Sequence, residues 1–215
     1  LKKGIFISIE GPIGVGKTTL TNILTSHFNA TSLMEIVEEN PFLSQFYKNI
    51  KEYALQTEAF FFFNRVKQLE DIEKVLKKGQ IVVSDYNIIK NLIFAGLTLN
   101  KRQFYKYKQV YDIFVSGLPQ SDIIIYLTSD TDTLMKKISL RDRSFERQMN
   151  RSYIDNLREE YEYYFNERSI KHYFGEKTPR IIKVDNTYLD FINNENDRQF
   201  IINKVQNEIE LLGGK

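Results

Sequence analysis

Gly11, Gly16, Lys17 and Thr18 stand at the spacing G-x-x-x-x-G-K-[ST], with Gly14 inside the run and Thr19 after it. Those types at that spacing suit a polyphosphate. Glycines let consecutive backbone N–H groups turn inward around an anion, and a helix beginning near Gly16 would aim its positive N-terminus at the same charge. Lys17 can reach β- and γ-phosphates, and the Thr18 hydroxyl suits Mg²⁺. A chance match is expected on the order of once in a hundred chains of this length. The apolar run Ile5 to Ile9 before the loop, and Leu20, Ile23, Leu24 and Phe28 after it, add the strand and amphipathic helix that the motif requires.

A second set of chemical residues follows the later strands. Glu35 leads into Glu38-Glu39, Asp85 follows Ile81 to Ser84, and an Arg-rich stretch runs from Arg141 to Arg147. Each has a plain alternative. Carboxylates beside a turn often cap helices, and Arg/Glu-rich loops are usually solvated surface. Together on one sheet edge, facing a nucleotide loop, they read as a site. His27 and His172 are isolated and read as structural or surface residues. With no cysteine in the chain, disulfides, thiolate metal sites and cysteine nucleophiles are excluded.

The elements that must position these residues alternate. Strands are expected at 5–9, 32–36, 81–84, 122–127 and 180–184. Helices are expected at 17–28, 42–47, 53–77, 88–97, 101–115, 131–140, 150–172 and 195–212, with 141–149 a loop. Five short apolar strands separated by helices argue for an α/β three-layer sandwich with a five-stranded parallel sheet, binding ligands at the strands' C-terminal ends. The 215 residues suggest a single domain, 1–215. A net charge of +2 predicts no strong attraction to nucleic acid or membrane. No apolar run approaches membrane-spanning length, so the cytoplasm is the expected location.

The runs EIVEENPFLSQFY, YALQTEAFFFFNRVKQLED (Tyr53 to Asp71), SDYNIIKNLIFA and RDRSFE, in that order, resemble the deoxynucleoside kinase family. The likeness covers nearly the whole chain and is weakest after Asp185. Within the family the chain is most similar to the bacterial purine deoxynucleoside kinases, on their deoxyguanosine branch. The resemblance implies a P-loop kinase fold with the loop at 11–19 and a lid at about 141–149, usually dimeric. The implied activity is transfer of the γ-phosphate of ATP, with Mg²⁺, to the 5′-hydroxyl of a deoxynucleoside in nucleotide salvage.

Carried over residue by residue, the resemblance makes Glu35 the general base, although Ile36 replaces the family's proline. Tyr47 and Glu146 would hold the sugar 3′-hydroxyl. Glu58 and Arg65 would face the base, Glu58 standing where many relatives have glutamine. Asp85 would join Thr18 in holding Mg²⁺. Lys17, Arg141 and Arg143 would act on the transferred phosphoryl group, and the donor base would lie near Asp185 to Phe191. Tyr86 departs from the pattern, because an arginine is implied there; Lys90 is the expected substitute. Glu58 and Arg65, two helical turns apart, could together read guanine. They could equally pair with each other or with a neighbouring helix.

Two other functions use a loop of this kind. A nucleoside monophosphate kinase would need extra arginines around an acceptor phosphate. A GTPase-like switch would need N-K-x-D and D-x-x-G, and the chain has neither.

Overall fold

The structure is a computed structural model that describes residues 4–213. The ends of the 1–215 span expected as one domain lie outside the described residues. Strands β1 (Phe6–Glu10), β2 (Thr31–Leu33), β3 (Val82–Ser84), β4 (Ile123–Thr128) and β5 (Arg180–Asp185) form one sheet in the order β2-β3-β1-β4-β5. Every pairing is parallel. Ile7, Ile9, Val82, Val83, Ile123, Ile124 and Ile125 are wholly buried. Successive side chains on a strand point to opposite faces, so both faces of the sheet are apolar and both need helices. The result is the α/β three-layer sandwich expected from the sequence.

The chain lays β2 and β3 on one side of β1, then β4 and β5 on the other. Connections therefore diverge at the C-terminal end of β1 and leave a crevice there. The helices are α1 (Lys17–Phe28), α2 (Leu43–Phe46), α3 (Ile50–Lys77), α4 (Lys90–Thr98), α5 (Lys101–Val115), α6 (Thr131–Arg141), α7 (Arg151–Tyr164), α8 (Glu167–Phe174) and α9 (Glu195–Gly213). Asn100, Asp130, Asn150 and Asn166 cap α5, α6, α7 and α8, each accepting a hydrogen bond from a backbone N–H in the first turn. Caps of this kind contribute about 1 kcal/mol each.

Two expectations are corrected. The second strand stops at Leu33 and not at Ile36. The Glu35 N–H donates to Asp85 Oδ1 at 2.7 Å, and the Met34 carbonyl accepts from Gln68 Nε2 at 2.8 Å. Side chains thus satisfy backbone groups that a longer strand would have offered to a ladder. The helix expected over 150–172 is two helices. Asn166 turns extended and caps α8, accepting from the Ser169 N–H at 2.9 Å, a local bond that competes with helix continuation.

Candidate active site

The loop between β1 and α1 opens on that crevice. A Cβ at Gly11 would lie 2.2 Å from the Leu127 carbonyl oxygen, and Gly11 and Gly16 have φ of 145° and 103°. Both positions need glycine. Gly16 starts α1, so Lys17, Thr18 and Thr19 fill its first turn. Lys17 Nζ donates to the carbonyls of Gly11 at 2.7 Å and Pro12 at 2.9 Å. Burial, with Lys90 nearby, pulls the Lys17 ammonium down to about 7 against the attraction of Glu10, Glu35 and Asp85. An anion entering the loop would favour the charged form.

Next to the loop, Thr18 Oγ1 donates to Asp85 Oδ2 at 2.9 Å. Asp85 is in turn bonded to the backbone of Glu35, which locks the end of β3 to the segment after β2. The Glu35 carboxylate is held by two cations. Lys90 Nζ donates to both its oxygens, at 2.9 and 2.7 Å, and Arg65 donates through Nε at 3.1 Å and through Nη2. Burial alone would raise the Glu35 carboxyl, but Lys90 and Arg65 overcome it and hold the group well below the usual carboxylate range. Glu35 is therefore ionised.

These groups border a cavity of about 1130 Å³. All the site residues expected from the sequence line it except Gly11, which is buried where the loop leaves β1. At one end are Glu58 and Arg65, 2% and 3% exposed, far less than charged side chains usually are. Arg65 turns to Glu35, not to Glu58, and its Nη1 is buried without a hydrogen-bond partner among the described residues. Glu58 instead meets Thr98 on α4, and burial pushes its carboxyl up to about 7 despite Arg65. Phe61 lines this end, whereas Phe62 is core and Phe63 is exposed, as consecutive helical positions require. Gln56 is exposed and off the cavity.

Over the middle, the last residue of α6 and a 3₁₀ turn at Ser144–Glu146 form a cover. Arg141 Nη2 donates to Glu146 Oε1 at 2.6 Å, and Arg143 lies 4.0 Å from the same carboxylate. The Tyr47 ring stacks on Phe145, which brings Tyr47 to the same wall as Glu146. At the far end residues 186–193 reach over the loop, and Asn186 Nδ2 donates to the Val15 carbonyl at 2.6 Å.

The arrangement is a glycine-shaped loop at a helix N-terminus, a carboxylate flanked by cations, and a polar pocket with a buried acid. A family model described as "Deoxynucleoside kinase" matches residues 7–210. The chain belongs to the deoxynucleoside kinase family.

The kinase is 43% identical over 204 residues to "Deoxyguanosine kinase" of Bacillus subtilis (strain 168), covering 94% of this chain and 96% of that one. It is 26% identical to "Deoxyadenosine/deoxycytidine kinase" of the same strain, covering 97% and 95%. A solved structure of deoxyadenosine kinase from M. mycoides with bound dATP superposes with a TM-score of 0.79. It is 25% identical, and the match covers 94% of this chain and 99% of that one.

In this kinase Tyr86 cannot serve as the implied arginine. It is buried, its hydroxyl donates to Gln68 Oε1 at 2.9 Å, and its ring lies 5.6 Å beneath the Arg65 guanidinium. Of the two cations on Glu35, Lys90 is the one that follows Tyr86 in the chain, at the start of α4. Sequence reasoning missed Glu10, which ends β1. It accepts from the backbone N–H groups of Gly11 and Asn87 and from the Tyr161 hydroxyl at 2.8 Å. One buried acid thereby joins the glycine loop, the segment after β3 and helix α7. Its only sequence signal was a charged residue closing an apolar strand. Lys136 and Lys137 also line the cavity, and nothing in their helical spacing singled them out.

Proposed function

We propose that this kinase transfers the γ-phosphate of ATP to the 5′-hydroxyl of a purine deoxynucleoside, deoxyguanosine before deoxyadenosine, in nucleotide salvage. The observation that carries the reading is the pairing of a phosphate loop with a buried Glu58–Arg65 end in one cavity, joined by Glu35. The name of the relative at 43% identity, a deoxyguanosine kinase, points the same way, and the other two named relatives are a deoxyadenosine/deoxycytidine kinase and a deoxyadenosine kinase.

On this reading the chain is one P-loop kinase domain, with its loop at 11–19 and lid at 141–149. Gly11, Gly14 and Gly16 shape the loop, and the backbone through Thr19 cradles the donor phosphates, with Lys17 neutralising them. The Thr18 hydroxyl and the Asp85 carboxylate, 2.9 Å apart, are hard oxygen donors that suit Mg²⁺. No cluster of three or more His, Cys, Asp or Glu that could hold a metal exists among the described residues. When bound, Mg²⁺ would draw charge from the β- and γ-phosphate oxygens.

Tyr47 and Glu146 hold the 3′-hydroxyl, Glu58 and Arg65 meet the base, and residues 185–191 hold the donor base. Glu35 orients the 5′-hydroxyl and accepts its proton late. Arg65, whose Nη1 has no hydrogen-bond partner among the described residues, offers that group to the base, and Lys90 acts on the phosphoryl group from beside Glu35. Arg141 and Arg143 close over that group as its charge spreads. Replacing Arg143 by alanine should therefore lower kcat by more than it weakens deoxynucleoside binding, since the arginine acts mainly on the transition state. Steady-state kinetics beside a thermal melt checks this. A loss of stability alone would make the stretch ordinary surface.

At the acceptor end Arg65 and Lys90 are engaged by Glu35 and Arg141 by Glu146, so these cations are not set around an acceptor phosphate. Offering deoxyguanosine and its 5′-monophosphate side by side separates the two kinase classes, and only the nucleoside should be phosphorylated. The kinase works as a cytoplasmic homodimer without nucleic acid or membrane partners. Among the described residues no helix is long and apolar enough to cross a membrane. A groove between α3 and α5, flanked by exposed Leu55, Phe63, Ile113 and Phe114, supports the dimer. A single monomeric mass in sedimentation equilibrium would reject it.

A further inference from the structure

Thr98 Oγ1 has one proton and two oxygens within reach, the Phe94 carbonyl at 2.8 Å and Glu58 Oε1 at 3.2 Å. The nearer acceptor lies on the same helix one turn back, the usual partner of a helical threonine. With that proton given to Phe94, the Thr98–Glu58 contact would join two lone pairs unless the Glu58 carboxyl carries a hydrogen. With Glu58 ionised, the threonine proton can swing to Oε1. The hydroxyl therefore suits either form of the acid. Glu58 Oε2 has no hydrogen-bond partner among the described residues, and the side chain lines the cavity at the end assigned to the base.

We propose that Glu58 chooses the base by its own protonation, accepting guanine as a carboxylate and adenine as a carboxylic acid, so that purine preference follows pH. The proposal rests on reading this cavity as a purine deoxynucleoside site. Guanine offers N1–H and N2–H₂ side by side, two donors for the two oxygens of a carboxylate. Adenine offers the N1 acceptor beside the N6–H₂ donor. A carboxylic acid answers that pair with one O–H and one C=O, whereas a carboxylate leaves N1 facing a lone pair.

The surroundings leave Glu58 free to do this. On its own helix it faces Arg65, and from α4 it faces Lys90; both favour the carboxylate. Glu35, after β2, opposes it, and burial opposes it most, bringing the carboxyl up to about 7. From α5 the Tyr107 hydroxyl donates to the Glu58 backbone carbonyl at 3.3 Å. Tyr47, after α2, and Tyr153 on α7 complete the ring of titratable neighbours. Burial holds all three phenols well above the usual range, and Lys90 and Arg65 hold Glu35 well below its own. None of these four changes charge near neutrality.

The test is a competition in which equal deoxyguanosine and deoxyadenosine are phosphorylated together between about pH 6 and pH 8. Effects common to both substrates, such as titration of Lys17, cancel in the product ratio. If each base uses one form of Glu58, the guanine-to-adenine ratio rises about tenfold per pH unit, whatever the carboxyl's own midpoint. Glutamine presents a donor and an acceptor at every pH. Glu58→Gln should therefore flatten the pH dependence and move the ratio roughly 10- to 100-fold towards adenine. A flat ratio in the unaltered protein, or a slope that survives in Glu58→Gln, overturns the proposal. Should the variant not fold, calorimetry on the unaltered protein in two buffers decides. Near neutrality deoxyguanosine binding should release a proton and deoxyadenosine binding should take one up, and proton-neutral binding of both rejects the switch. Failure to phosphorylate either nucleoside would reject the purine site itself, a different outcome from phosphorylation at a constant ratio.

Discussion

Glu35→Gln is expected to lower kcat by roughly 10² or more while deoxynucleoside binding is largely kept. Glutamine preserves the size of the side chain and one acceptor oxygen for Lys90 and Arg65, but it puts an NH₂ donor in place of the other oxygen and cannot take a proton. A carboxylate held low by two cations is a weak base as it stands. That is enough here, because a phosphoryl transfer passes through a loose transition state in which the hydroxyl loses its proton late. Removing the charge also leaves Lys90 and Arg65 facing each other in a buried site, so a thermal melt must accompany the kinetics. Near-normal turnover in a folded variant would move the role to Asp85 or Glu38.

Lys90→Met should be the next largest loss, with kcat falling on the order of 10²-fold and the deoxynucleoside KM changing much less. Tyr86 supplies no charge where the family resemblance implies an arginine. The other cations near Glu35 have different work: Arg65 is assigned to the base and Lys17 to the donor phosphates. Lys90 is 6% exposed and contacts both Glu35 oxygens, so methionine can occupy its space without its charge. Losing it also lets the Glu35 carboxyl rise towards its ordinary range, which should move the acid limb of the pH–rate profile upward. Lys90→Arg should recover part of the rate. A variant changed only in KM would mean that Lys90 merely packs against Glu35.

The legible parts of this chain were those fixed by local pattern. The Ile5 to Ile9 run and the glycine spacing announced β1, the loop and the start of α1. Two-turn spacing put Glu58 and Arg65 on one face of α3. What stayed hidden depended on partners distant in sequence. No pattern around Met34 to Ile36 shows that Asp85 and Gln68, about 50 and 34 positions away, will take over the backbone groups and end β2 early. Asn166 interrupts an unbroken amphipathic stretch with a single local bond. Arg65 was legible as a base-facing candidate, but its contact with Glu35 arises only when the sheet brings the two segments together. Glu10 was missed for the same reason, since its three donors come from the glycine loop, the segment after β3 and helix α7.

A four-way competition shows whether the kinase phosphorylates purine deoxynucleosides with guanine preferred. Equal deoxyguanosine, deoxyadenosine, deoxycytidine and thymidine are offered with ATP and Mg²⁺ near neutral pH, and the 5′-monophosphates are resolved. Deoxyguanosine monophosphate should dominate, deoxyadenosine monophosphate should follow, and the two pyrimidine products should trail both. A pyrimidine product in the lead would contradict the reading of Glu58 and Arg65 as a purine site.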